Sequence, residues 1–383
     1  MKKQTVLQIV TLIAAAVFLF AAYSHIVGTG SVFKGHSDGE VARAKVIRVI
    51  SSEKSNVTGE AEYITVTFKA QILSGRMRGK TVDAVQEIDR TYAFSPRAVK
   101  QNDKILLEIF AASGGGYYFG DYIRITPLLF LAVIFCLLVI AFSKTKGVKT
   151  VISLGITCLA VFTVLLPAIL NDRNIYLWTV IICVFITLVT LSLVGGYSRK
   201  TLAAFIGCMS GVACSGIIML ITDRFLNMTG LLEEESIYLF QLYPDNPIDL
   251  KAILFAMITV GALGAVMDVA MSISSSLWEI REKSPSIKPP ALMKSGFNIG
   301  ADMMGTMANT LVLAYIGSNL TCVLLMVAYN SNLQQVINKE IIVFELLQAL
   351  AGSLGMLLAL PLTSFVCSLL YSGRKATNTE TGR

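Results

Sequence analysis

Two aspartates stand where a lipid-embedded chain can least tolerate them. Asp268 lies in Gly261-Ala-Leu-Gly264-Ala-Val-Met-Asp268-Val-Ala-Met-Ser272, and Asp302 in Gly300-Ala-Asp302-Met-Met-Gly305-Thr306-Met-Ala-Asn309-Thr310. An Asp near the centre of a membrane helix costs roughly 2.5–3.5 kcal/mol, so such residues face a protein interior or a wet cavity. Helical spacing puts Gly261, Gly264 or Ala265, Asp268, Ser272 and Ser275 on one face. It also groups Asp302, Gly305 or Thr306, and Asn309. The small residues Gly261, Gly264, Gly300 and Gly305 allow helices to approach closely. Two carboxylates at one depth can hold a cation or share a proton, with Thr306, Asn309 and Ser272 adding neutral oxygens. Two plainer roles remain open. Either Asp fits a helix cap, Asp302 as an N-cap or first-turn residue. The flanking Met267, Met271, Met303, Met304 and Met307 fit flexible packing better than a Cu(I) site.

The elements that must position these residues follow from composition. Of 383 residues, 54% are hydrophobic and only 15% are charged, and the mean hydropathy is +0.67. A soluble domain carries about 25% charged residues, so this is a membrane chain. The net charge of +7 is read through its placement along the chain and not as a nucleic-acid signal. Cys136, Cys158, Cys183, Cys208, Cys214, Cys322 and Cys367 all fall in apolar runs without a CxxC or a Cys/His cluster, and the only histidines are His25 and His36. That spacing supports no metal site and no cofactor.

Eight apolar runs approach the length of about 20 residues that a spanning helix needs: 6–23, 125–142, 151–170, 175–194, 201–222, 252–274, 303–329 and 346–371. With the N-terminus inside, the inner segments carry 14 Lys and Arg against 4 in the short outer loops, while the acidic residues run 3 against 9. This bias sets both termini in the cytoplasm. Lys2 and Lys3 before the first run resemble a signal peptide, yet the run is long and Ala22-Tyr23-Ser24 is a weak cleavage site, so an uncleaved anchor is expected over 1–27. Pro167 and Pro361 are candidate kinks, Gly207-Cys-Met-Ser-Gly211 a helix contact, and Gly352, Ser353 and Gly355 make the last run a close neighbour of the others. The inner loop holds Trp278 as a headgroup anchor, with Arg281 or Lys283 within possible reach of an Asp.

Residues 33–120 form one polar outer segment in which 41–50, 63–73 and 104–110 read as strands. A barrel or sandwich of five or six strands fits this length, with Gly114-Gly115-Gly116 as a joint. The other outer loop, 223–251, carries Glu233-Glu234-Glu235 and Tyr243-Pro244-Asp245, either a solvated acidic loop or a cation-attracting vestibule. The expected organisation is an α-helical bundle of about eight transmembrane helices. A small extracytoplasmic β-rich domain, barrel-like, follows the first helix; residues 125–371 make a seven-helix membrane domain and 372–383 a cytoplasmic tail.

The stretches Gly261–Ser276, reading GALGAVMDVAMSISSS, and IGADMMGTMANTLVLAY around Asp302 resemble the YibE/F-like family of bacterial multi-pass membrane proteins. The resemblance covers most of the chain and implies residence in the plasma membrane, without a known activity to carry over. The residues themselves lead to two expectations. One is a transporter or permease with a paired-aspartate cation or proton site. The other is a non-catalytic subunit that docks a partner through the outer domain. An enzyme is not expected. An intramembrane aspartyl protease would need GxGD, whereas Gly300-Ala301-Asp302 has Ala before the Asp. The expected partners are the lipid bilayer and a second related subunit or a homo-oligomer, with no nucleic acid.

Overall fold

The computed structural model describes residues 2–27, 39–57, 61–89, 96–110, 116–232, 234–242, 247–329 and 332–372. Thr58, Gly114, Gly115, Glu233, Tyr243-Pro244-Asp245 and the tail beyond 372 lie outside them. The chain forms two compact units. One is Met1–Val32 with Val139–Arg383, and the other is Phe33–Leu138.

The smaller unit is a closed barrel of five strands: β1 (Gly39–Val57), β2 (Ala61–Ile72), β3 (Thr81–Asp89), β4 (Lys104–Phe110) and β5 (Gly116–Tyr122). Their order is β1-β2-β3-β5-β4. Neighbours are antiparallel except β3 and β5, which meet in parallel at Val85 and Tyr118. Period-two alternation fills the interior. Ala42, Ala44 and Val46 point inward from β1, Phe68 and Ala70 from β2, and Ile105 and Leu107 from β4. Gln86 breaks this apolar lining, being 2% exposed between inward-facing Ala84 and Ile88. Its amide donates to the Arg97 carbonyl at 3.1 Å and accepts from the Val99 amide at 2.9 Å, which holds the crossing from β3 to β4 against the barrel. Arg97 in turn pairs with Asp103 at 2.7 Å and lies over the Tyr122 ring. At the end of β5, the Tyr122 amide and the Arg124 guanidinium bind Asp121 and hold its carboxyl below the usual range.

The larger unit is helical. It contains α1 (Lys2–Val27), most of α2 (Ile125–Ala160), α3 (Leu166–Leu170), α4 (Ile175–Gly195), α5 (Arg199–Leu226), α6 (Glu234–Leu242), α7 (Leu250–Lys283), α8 (Pro289–Ser318), α9 (Leu320–Tyr329), α10 (Leu333–Ile337) and α11 (Glu340–Ser372). Among the described residues six helices are long and apolar enough to cross a membrane, or seven if the bent pair α8 and α9 is one span. One of the six, Ile125–Leu170, is 46 residues long, about 69 Å at the helical rise and twice the hydrocarbon thickness. It is not straight. Lys144 has φ 50 and ψ −125, and a side chain on Gly147 would strike the Val139 carbonyl, so the chain turns back on itself there. A π-helical turn, Val161–Leu165, lies just before Pro167, whose ring cannot follow a regular α ladder.

Close packing is built on glycine. Gly207 and Gly211 of α5 press against Thr363 and Ala359 of α11, and Gly211 also meets Val266 of α7. Gly355 of α11 faces Ser215 of α5, whose hydroxyl donates to the Ala351 carbonyl at 3.1 Å. On the other side of α11, Leu360 and Ser364 fill the notches of Gly300 and Gly296 in α8. α11 thus joins α5 to α8, with α7 packed among them. Glu340 at its start accepts from the Thr229 and Gly230 amides at 2.7 Å, and Tyr371 near its end bonds Ser274 of α7 at 2.8 Å. Trp278 packs edge-on against Tyr371, 5.1 Å between ring centres, and so takes part in the bundle. Arg281 donates to the Ile287 carbonyl across the short turn into α8.

α1 belongs to this bundle. Phe18 stacks on Phe185 of α4 at 4.4 Å, Gln8 donates to the Leu193 carbonyl at 3.2 Å, and Thr11 meets Tyr197. The mature protein is therefore expected to keep α1. Intact mass spectrometry of membrane-purified protein should give a mass that includes residues 2–27, and a product beginning near Ser24 would contradict this packing. In the barrel, Gln86→Leu leaves the Val99 amide without its acceptor, a loss of about 1–3 kcal/mol. Hydrogen exchange at Val99 should accelerate about tenfold or more while exchange in β1 and β2 is unchanged; unaltered exchange at Val99 would contradict the latch.

Candidate functional site

α7 is enclosed along most of its circumference. Ala262, Val266, Val269, Ala270 and Ile273 are all buried. The opposite side carries an uncovered stripe in which Met257, Gly261, Gly264 and Asp268 are exposed and Ser272 and Ser275 half-buried. The spacing of four, three and four residues keeps these positions on one side of the helix. Nothing lies within 4 Å of a Cβ placed on Gly264. Gly261 has polar neighbours: a Cβ there would be 2.9 Å from the Tyr315 hydroxyl and 3.3 Å from the Gln348 amide nitrogen. A stripe of small and polar residues therefore runs along the most buried helix, with a carboxylate towards one end and a phenol and an amide over Gly261. About 10 Å of helix axis separates the levels of Gly261 and Asp268.

Asp302 stands on a different surface. α8 runs unbroken from Pro289, so Asp302 lies inside the helix and caps nothing. Leu292, Gly296 and Gly300 bury one face of α8, and Met304 and Met307 pack against the same core. Asn298, Asp302, Gly305 and Asn309 occupy the reverse face and are all exposed. Gly305, like Gly264, has no neighbour within 4 Å of a Cβ. The exposed Thr306 spends its hydroxyl on its own helix, donating to the Met303 carbonyl at 2.9 Å.

The two carboxylates make no hydrogen bond or ion pair with each other or with another described residue. Their depths also differ. Gly296 lies against Leu277, and Gly261 against Tyr315. Between these contacts α7 and α8 run antiparallel, so Asp268 stands level with Thr306 and Met307. Asp302 is then about one turn nearer the connecting turn, roughly 6 Å along the axis. The offset arises because α7 continues to Lys283 and α8 begins at Pro289, so the helices extend well past the apolar runs that placed the aspartates at similar depth. Among the described residues no three His, Cys, Asp or Glu side chains gather as a metal cluster would require.

Sequence reasoning missed the residues opposite Gly261. Glu345 sits in α11 between buried Phe344 and Leu347, with one carboxylate oxygen closed off from solvent. The Tyr315 hydroxyl and the Gln348 amide nitrogen both lie over Gly261. The last apolar run begins at 346, whereas α11 begins at Glu340 and includes Glu345. Directly after Tyr315, α8 ends at Ser318 and α9 leaves at 63°. The run 303–329 is thus two helices and not one.

Comparison with curated proteins gave no match, and neither did comparison with solved structures. Comparison with protein families matched residues 131–373, which contain α7, α8, α11 and every polar residue of the stripe, to the YibE/F-like proteins. That match spans more than half of the chain, and the protein belongs to the YibE/F-like family.

Proposed function

We propose that this membrane protein is a permease that moves a cation or proton along the polar stripe of α7, with Asp268 as its principal ionisable group. The observation that carries the reading is the line from Gly261, which lies under the Tyr315 hydroxyl, through the uncovered Gly264 to Asp268, on a helix packed along most of its circumference. In hydrocarbon such a surface is stable only when wet or covered by protein. Asp302, about a turn nearer the cytoplasmic end, and Asn309, close to the level of Asp268, serve as companion groups from the reverse face of the neighbouring helix, and Thr306 and Ser272 add neutral oxygens. The topology we propose has eight spans, reached by dividing Ile125–Leu170 at Lys144 and counting α8 with α9 as one. Both termini are in the cytoplasm of a bacterial cell and the barrel is outside, as the Lys and Arg bias supports.

A second reading has its own support. The reverse face of α8, with Asn298, Asp302 and Asn309, points away from the protein's own core. A second related subunit or another copy of the chain could cover it, since polar side chains join membrane helices. In that reading the protein is a subunit of a complex, with the barrel as a further docking module.

Reconstituted vesicles separate the two. Asp268→Asn should lower proton or cation flux at least about tenfold with normal membrane insertion, and Asp302→Asn should lower it less. Unchanged flux in the double variant would contradict the permease reading.

A further inference from the structure

We propose that the cleft between the α3–α4 turn and the start of α7 binds a small zwitterion, a free aliphatic α-amino acid. It lies at the end of the bundle that the Lys and Arg bias sets outside. The inference goes beyond the permease reading, because binding there requires no passage of ions along α7.

The cleft has a volume of about 240 Å³. Pockets for drug-sized molecules run to about 300–1,000 Å³, so this one suits a smaller ligand. Its walls come from two segments distant in sequence. Asp172 and Arg173 stand in the turn after α3, and Asp249 caps the start of α7. All three are exposed. None of them forms an ion pair with another or with any other described residue. Two carboxylates and a guanidinium therefore border one space without neutralising each other. The floor is apolar, with Ile175 and Ile248 buried and Tyr176 half-buried.

The placement of charge selects the ligand. A bare cation would meet the guanidinium, and a bare anion would meet the two carboxylates. An α-amino acid carries an ammonium and a carboxylate on one carbon and satisfies both sides. Its ammonium has several donors to give, and Asp172 and Asp249 can accept them. The planar guanidinium of Arg173 matches a carboxylate. Arg173 is steadied for this role by donating to the His25 carbonyl at 3.1 Å, which leaves most of its N–H groups available. The start of α4 adds to the positive side. The Asn174 side chain caps the Leu177 amide at 3.0 Å. Ile175 and Tyr176, the first two residues of α4, border the cleft. The first amides of a helix have no acceptor within it and favour an anion. An aliphatic side chain then rests on the isoleucine floor.

The test uses the full-length protein purified in detergent, with radiolabelled L-leucine followed by equilibrium dialysis. Two competitors each lack one charge: isopentylamine keeps only the ammonium, and isocaproate keeps only the carboxylate. Unlabelled L-leucine should displace the label, and each competitor should require at least about tenfold more. The variants preserve the local backbone. Asn at position 249 still caps a helix, and Asn at position 172 suits the left-handed backbone there, φ 52. The double variant Asp172→Asn/Asp249→Asn should weaken leucine binding at least about tenfold, and so should Arg173→Gln, which can still donate to the His25 carbonyl. Absence of saturable L-leucine binding would overturn the proposal. Equal displacement by isopentylamine or isocaproate would overturn it too, since one charge would then suffice. Unchanged affinity in Arg173→Gln or in the double variant would place the ligand elsewhere and have the same effect. Vesicle flux keeps this site apart from the permease reading. Leucine binding lost in Arg173→Gln, in a protein without cation flux, retains the site and removes the permease, whereas cation flux without leucine binding does the reverse.

Discussion

Oil does not solvate a carboxylate. Each charged side chain in a hydrocarbon layer must be neutralised, paired or given water, and the penalty for failing is several kcal/mol. In this bundle Asp268, Asp302 and Glu345 meet that condition differently. Glu345 is half-buried in α11 with one carboxylate oxygen closed off from solvent. Asp268 opens onto a strip of α7 that glycine keeps low. Asp302 faces away from its own core. The reading of function rests on how each group escapes the penalty.

The rest of the bundle follows from close glycine packing. Without hydrophobic pressure between membrane helices, association depends on contact at short range and on interhelical hydrogen bonds. Gly207, Gly211 and Gly355 bring α5 and α11 together, and Gly296 and Gly300 bring α8 to α11. The contacts of α7 are satisfied on that side. Gly264 and Gly305, like Gly155 and Gly317, have nothing within 4 Å of a Cβ placed on them. A glycine in a helix interior costs about 0.5–1 kcal/mol relative to Ala, and at Gly264 no helix contact offsets that cost.

Much of this was legible in the residues. Mean hydropathy and run length identified a helical membrane chain, and partial alternation in 41–50 and 63–73 marked the strands of the barrel. The stretches around Asp268 and Asp302 identified the family. Four features were not legible, each for a physical reason. Helices α7 and α8 extend beyond their apolar runs because a short turn can join them once they leave the lipid, and hydropathy alone does not see that extension. The bend at Asn319 is invisible because Leu320–Tyr329 is as apolar as a straight continuation would be. Glu345 is not legible because a lone acid at the end of an apolar run looks like a boundary; α11 begins at Glu340 and one Glu345 carboxylate oxygen is closed off from solvent. The inward Gln86 of the barrel was equally hidden, since its partners are backbone groups of a distant crossing.

The central claim is that the α7 stripe is wet within the membrane. Thiol accessibility tests it most directly, in a variant whose seven native cysteines are replaced. A cysteine at Gly264 should react with a charged, membrane-impermeant methanethiosulfonate in intact vesicles, while one at Leu350, exposed on the outside of α11, should not. If Gly264→Cys proves as inert as Leu350→Cys, the stripe is sealed by lipid or protein, and Asp268 does not line a path for ions.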